Sequence, residues 1–83
     1  MRVHIHPHAR ERMQERGTNE EEVRATLERG EQFKAKFDRM GFRRNFPFNR
    51  ERGGKFFTTK QIELYAIQDN DAWLVITVLT RFF

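Results

Sequence analysis

The hydrophobic period changes once along this chain, at Gly30, and that change limits what the chain can fold into. Before Gly30, apolar residues recur at helical spacing, Ala9 with Met13 and Val23 with Leu27. After it they alternate. Phe33, Ala35 and Phe37 are interleaved with Lys34 and Lys36. Phe42, Arg44, Phe46 and Phe48 are interleaved with Arg43, Asn45 and Pro47. Leu64 and Ala66 fall on one side of their segment, Tyr65 and Ile67 on the other. Alternation of this kind belongs to strands. Helices first and strands afterwards specify an α+β domain, with two N-terminal helices packed on one face of a β-meander. Val3-His4-Ile5, bounded by Pro7, adds a short first strand. No repeat or linker interrupts the pattern, so a single domain is expected over residues 1–83.

Punctuation places the elements. Pro7 suits the first turn of a helix over Pro7–Arg16, and Gly17 its left-handed cap. Thr18-Asn19-Glu20-Glu21 reads as a capping box, with Thr18 as N-cap and Glu21 at the third helical position. Glu20, Glu21 and Glu22 favour the positive end of the helix dipole, and Gly30 stops that helix. Asn49–Gly54 reads as a polar loop, and Lys55–Lys60 and Ile62–Gln68 as strands. Ala72–Thr80 is apolar on both sides, which predicts a central strand covered on both faces. Pro47 predicts an edge strand or a bulge.

Composition removes several classes. There is no cysteine in 83 residues, so a disulfide scaffold and a cysteine-ligated zinc site are both excluded. No apolar run approaches the roughly 20 residues that span a bilayer. The opening Met1-Arg2-Val3-His4-Ile5-His6-Pro7 lacks the apolar centre of a signal peptide, so a cytoplasmic location is expected. Nine phenylalanines must supply much of the core.

Charge is concentrated in one stretch. The net charge is +4, yet residues 33–60 alone hold nine basic and two acidic residues, a net of +7, interleaved with seven Phe. Twelve of the sixteen cations are arginine, the residue suited to bidentate phosphate contacts and stacking. Two readings follow: a surface for a polyanion such as nucleic acid, or solubilising edges that block aggregation.

Three histidines stand together as His4-Ile5-His6-Pro7-His8. His4 and His6 share a strand face and are either a partial metal site or ordinary strand residues. No further Cys or His supplements them, so neither a metal nor a cofactor is expected. His8 falls in the first helical turn, where the dipole favours neutral imidazole, and Arg12 and Arg16 follow on the same stripe. A neutral base beside cations meets the needs of metal-free RNA cleavage. The plainer alternative is a helix cap with paired arginines. Arg44, among aromatics, either meets a carboxylate or faces a ligand groove. Lys60 is a second phosphate contact or a strand-end lysine. Phe56 and Phe57 are stacking platforms or core, and Trp73 belongs to the core or the sheet rim.

The run His8-Ala9-Arg10-Glu11-Arg12-Met13-Gln14-Glu15-Arg16-Gly17, followed by Glu20-Glu21-Glu22-Val23, resembles a family of small prokaryotic proteins catalogued as a domain of unknown function. Phe46-Pro47-Phe48, Gly54-Lys55-Phe56-Phe57, Lys60-Gln61 and Val75-Ile76-Thr77-Val78 extend the resemblance over nearly the whole chain. That family resembles the RelE-like toxin fold, grouped with barnase-, EndoU- and colicin-type ribonucleases. The likeness implies that the meander is a curved antiparallel sheet with RNA on its open face, and with His8, Arg12, Arg44, Lys60 and Thr77 as site residues. Position 57 is Phe here where many relatives are expected to carry a tyrosine, so no phenol is available there.

The function expected from the sequence is therefore RNA binding, extended to metal-free endoribonuclease action of RelE-like toxin type, in which 2′-hydroxyl attack gives a cyclic phosphate. His8, Arg12 and Lys60 are the catalytic candidates. Arg16, Arg43, Arg44, Lys55, Phe57 and Thr77 are the RNA contacts. The alternative is a non-catalytic module that binds nucleic acid or an acidic, antitoxin-like protein.

Overall fold

The chain runs β1 (Arg2–Ile5), α1 (Pro7–Arg16), α2 (Glu20–Arg29), β2 (Glu31–Lys34), β3 (Met40–Arg52), β4 (Lys55–Asp69) and β5 (Ala72–Phe82) in a computed structural model that describes residues 2–83. The strands form one sheet in the order β1-β5-β4-β3-β2. Strands β2 to β5 are the expected antiparallel meander, but β1 lies parallel to β5, so the sheet is mixed. The parallel pairing follows from connectivity. β1 leads directly into α1, and α1 lies along β5. The strand feeding that helix therefore runs beside β5 in the same direction, and the His6 amide reaches the Val75 carbonyl at 2.9 Å.

Both helices cover one face of the sheet. α1 rests on β5, and α2 on β3 and β4. Ala9, Met13, Val23 and Leu27, the residues at helical spacing, are all buried. They meet Phe42, Ile62, Leu64, Ala66, Val75 and Val78 from the sheet. Each large side chain buried this way contributes about 1.5–3 kcal/mol. The turn between the helices is fastened to the strands below it. Gly17 takes the left-handed conformation (φ 73°), the Arg16 carbonyl accepts from the Thr80 hydroxyl at 2.8 Å, and the Gly17 carbonyl accepts from Lys60 Nζ at 3.0 Å.

Several boundaries differ from expectation. Asn19, not Thr18, is the N-cap of α2, its side chain accepting from the Glu22 amide at 2.8 Å. Thr18 instead donates its hydroxyl to the Glu22 carboxylate. β2 ends at Lys34, and Phe37 sits in the β2–β3 turn rather than in a strand. Both Phe37 (φ 60°) and Asp38 (φ 58°) have positive φ, the pattern of a type I′ hairpin turn that normally recruits Asn and Gly. Asn49–Arg52 extend β3, which leaves Gly53-Gly54 as the turn, and residues 55–69 form one continuous strand. The proline expectation holds on both counts. The pairing shifts between Pro47 and Arg50, and β2 covers β3 only at Met40–Arg43, so the remainder of β3 is an edge.

The largest correction concerns β5. It is central in the strand order, but helices cover only one of its faces. Ala72, Val75 and Val78 are buried, whereas Leu74, Ile76, Thr77 and Leu79 remain half-exposed on or around the other side. A shift of one residue beside Tyr65 and Ala66 accommodates the apolar run.

Candidate nucleic-acid interface

The basic segment folds into the β2–β3 turn, β3 and the start of β4. Of its nine cations, only Arg43 and Lys60 form salt bridges among the described residues. Lys34, Lys36, Arg39, Arg44, Arg50, Arg52 and Lys55 keep their charge unpaired. Many of them lie over phenylalanine rings: Arg44 over Phe46 at 5.3 Å, Arg50 over Phe48 at 4.6 Å, Arg52 over Phe82 at 4.7 Å and Lys55 over Phe57 at 5.8 Å. Alternation makes the Arg44–Phe46 and Lys55–Phe57 pairs, because residues i and i+2 share a face of the strand, while Arg50 meets Phe48 across the register shift and Arg52 reaches Phe82 of β5. The molecule measures 42 Å along its long axis, and the segments around the two turns that flank β3 carry Lys34, Lys36 and Arg39 at one end and Arg50, Arg52 and Lys55 at the other.

The helix-free face carries a second constellation that sequence reasoning did not single out as a site. Register brings Glu31, Arg43, Glu63 and Leu79 into one row across four strands, and Phe33, Gly41, Tyr65 and Thr77 into the next. Arg43 Nε meets Glu63 at 3.1 Å, and its terminal nitrogen meets Glu31 at 3.1 Å. Tyr65 donates its hydroxyl to the other Glu63 oxygen. Glu63 is buried, at 8% exposure. Burial alone would raise its carboxyl, but hydrogen bonds from Tyr65 and Arg43, with the charges of Arg43 and Arg81, outweigh that and hold it below the usual carboxylate range. The same hydrogen bond to Glu63, with burial, pushes the Tyr65 phenol upward. Phe33 lies across Gly41, where any Cβ would strike its ring, and touches Tyr65 edge-on with Arg43 at 4.7 Å over its face. Glu63 and Tyr65 shared a face by alternation and were legible as a pair. Their meeting with Arg43 depended on the register, which the sequence does not display.

Next to Tyr65 a hollow of about 480 Å³ opens toward the β2–β3 turn. Phe33, Tyr65 and Thr77, from one row of the sheet, form its floor, and Lys36, Phe37 and Arg39 border it from the β2–β3 turn. Arg39 Nε is buried and has no hydrogen-bond partner among the described residues.

The expected site residues are distributed over the molecule. His8 is exposed at the start of α1, its ring stacked on His6 at 5.2 Å, and it is His6 whose Nδ1 accepts from the His8 amide and caps the helix. His4 pairs with Leu74 on β1, and among the described residues no group of three or more His, Asp or Glu is placed to hold a metal ion. Arg12 is exposed in mid-helix, and Arg16 is half-buried in the last turn of α1. His8 lines a shallow hollow with Arg10, Glu11 and Gln14, whereas Arg44 shares one with Arg29, Asn45 and Gln61 beside α2. His8 and Arg44 thus line separate hollows, because α1 lies on β5 while Arg44 belongs to β3, two strands away. Lys60 is buried at 6% exposure, its ammonium 2.8 Å from Glu22 and engaged with the inter-helix turn. Phe57 packs near Phe82, with ring centroids 5.9 Å apart, and Phe56 is the freer ring at 59% exposure. Arg43 and Thr77 are the expected contacts that stand on the open face. Lys55 is exposed at the start of β4, beside the β3–β4 turn.

The architecture defines an α+β class of protein: two helices on one side of a five-stranded mixed sheet whose other side is uncovered. Residues 5–80 match the family described as Domain of unknown function (DUF4258), and the chain belongs to that family. No curated protein and no solved structure matches it. Among the described residues no helix is long and apolar enough to cross a membrane.

Proposed function

We propose that this chain is an RNA-binding protein whose contact surface runs along β3 from the β2–β3 turn to the β3–β4 turn. One observation carries the reading. Seven of the nine cations in residues 33–60 form no salt bridge among the described residues, and most lie beside aromatic rings. Unpaired cations neutralise phosphate, and exposed rings such as Phe56 stack on unpaired bases, which favours a single strand. A RelE-like relationship accords with two helices covering one sheet face only.

Binding is favoured over cleavage. Cleavage through 2′-hydroxyl attack needs a base and phosphate-stabilising cations around one phosphate. His8 and the basic strands line different hollows, and Lys60 is engaged by Glu22. The test is anisotropy of labelled single-stranded RNA against salt. Affinity falls with a log–log slope near −0.7 per phosphate contact, so four or more contacts give a slope of about −3 or steeper. A slope near zero, or no binding in low salt, overturns the reading. Incubation of mixed RNA with chelator, comparing wild type and His8→Ala, addresses cleavage separately. Loss of cleavage in the variant would restore His8 as the base.

A second reading rests on the free edge of β3 beyond Arg43. Its unpaired main chain and its arginines suit an acidic peptide that adds as a strand. Such a peptide displacing RNA at equal charge, and losing that ability when proline interrupts it, would favour the protein partner.

A further inference from the structure

The hollow beside the β2–β3 turn has features that a general phosphate-binding surface does not require. Its floor is aromatic, with Phe33 and Tyr65 held edge to face at 6.1 Å. Its rim carries two cations, Lys36 and Arg39, against one carboxylate in the same turn, Asp38. Phe37 stands at that rim with 82% exposure, on a residue whose φ of 60° an aromatic side chain rarely adopts. Folding gains nothing evident from presenting a large ring to water on a strained backbone, and such strain concentrates where a ligand is clamped. Arg39 stacks beside this ring at 5.9 Å, yet its buried Nε donates to nothing. A buried donor without an acceptor is costly, and a small turn of the Arg39 side chain toward a ligand oxygen in the hollow would relieve it.

We infer that this hollow is a binding site for a single nucleotide unit, the base lying between Phe37 and the Phe33–Tyr65 floor and the phosphate meeting Arg39 and Lys36. The observations fit this ligand class better than a bare anion, because the floor is apolar and aromatic while the charge is confined to the rim. They fit it better than an uncharged aromatic compound, because an unpartnered guanidinium borders the cavity. The inference deepens the RNA reading by naming where one nucleotide is held, and it also makes a claim that can stand without that reading.

The test is titration of the intact protein with the four nucleoside 5′-monophosphates, ribose 5-phosphate and inorganic phosphate, followed by NMR of the backbone and aromatic resonances. Monophosphates shift Phe33, Phe37, Tyr65 and Thr77, and at least one base binds more tightly than ribose 5-phosphate or phosphate. Phe37→Ala weakens that binding about tenfold, the loss expected for one stacking ring, and Phe37 is too exposed for its removal to unfold the chain. Arg39→Gln weakens the monophosphates and ribose 5-phosphate alike. If all six probes bind equally, recognition of a base is overturned and only an anion site remains. If RNA binds while no monophosphate shifts these four residues, the site is overturned and the RNA reading stands. If monophosphates bind there while RNA does not, the site stands and the RNA reading falls.

Discussion

Lys60 and Arg43 are basic residues on neighbouring central strands, and both meet glutamate, but on opposite faces of the sheet. Beneath the helices, Lys60 is nearly sealed from water and divides its protons between Glu22 and the carbonyl of Gly17, so its charge joins the inter-helix turn to the sheet. On the uncovered side, Arg43 bridges Glu31 and Glu63 while remaining partly solvated, and the network continues to Tyr65 at the margin of the hollow. The same chemical pair thus has two uses. The covered pair positions helices. The uncovered one holds an aromatic floor in place where a ligand can reach it.

The contrast is broken most severely by removing packing from one side. Leu64→Ala, at a fully buried position under the helices, is expected to lose about 3 kcal/mol or more in urea denaturation. Leu79→Ala, on the half-exposed side of β5, is expected to lose roughly 1 kcal/mol or less, since little area leaves water there. Equal losses would mean that the second face is covered in solution.

A smaller effect separates the two ion pairs. Glu22→Ala leaves the Lys60 ammonium buried with only a carbonyl partner and should cost about 2–3 kcal/mol, toward the low end for a broken buried pair because Glu22 keeps some contact with water. Lys60→Met, which removes the buried charge itself, should cost less than Glu22→Ala in the same assay. Reversal of that order would show the ammonium to be needed for more than pairing.

The smallest effect sharpens the role of Tyr65. Tyr65→Phe removes one hydrogen bond to a carboxylate, about 1.5 kcal/mol at neutral pH. Its pH signature is more diagnostic. Because the folded state holds the Glu63 carboxyl low, the associated stability is present above the ordinary carboxylate range and fades as pH falls through the depressed value. Without Tyr65, that acid-side loss is smaller and is complete at higher pH. The Tyr65 phenol is held high, so its own contribution persists through neutral pH and is lost as pH climbs past the ordinary tyrosine range, a limb that the phenylalanine variant lacks. Superimposable stability–pH curves for the two proteins would remove the network from the account.

Local signals read well where the cause was local. The helix stripes Ala9–Met13 and Val23–Leu27, the left-handed Gly17 and the bulge after Pro47 all depend on neighbours within a turn or two. The Thr18 cap missed by one position because Thr18 and Asn19 are both capable acceptors, and the choice falls to whichever fits the path from Gly17. The apolar run of β5 suggested cover on both sides, since sequence records what a strand can bury and not how many layers exist to bury it. His8 and Arg44 lie apart for a related reason. Residues on separate elements share a hollow only if strand order puts those elements side by side, and here β5 carries the helix bearing His8 while β4 separates it from β3.

Sequence alone determined the two-helix and strand succession, the inward helical stripes and the concentration of positive charge between residues 33 and 60, because periodicity and composition act through contacts close along the chain. Only the tertiary structure decided which cations remain unpaired, that Glu63 meets both Arg43 and Tyr65, and that an aromatic hollow opens beside Arg39. Those outcomes depend on register between strands distant in sequence, and a slip of one residue would send every side chain concerned to the opposite face.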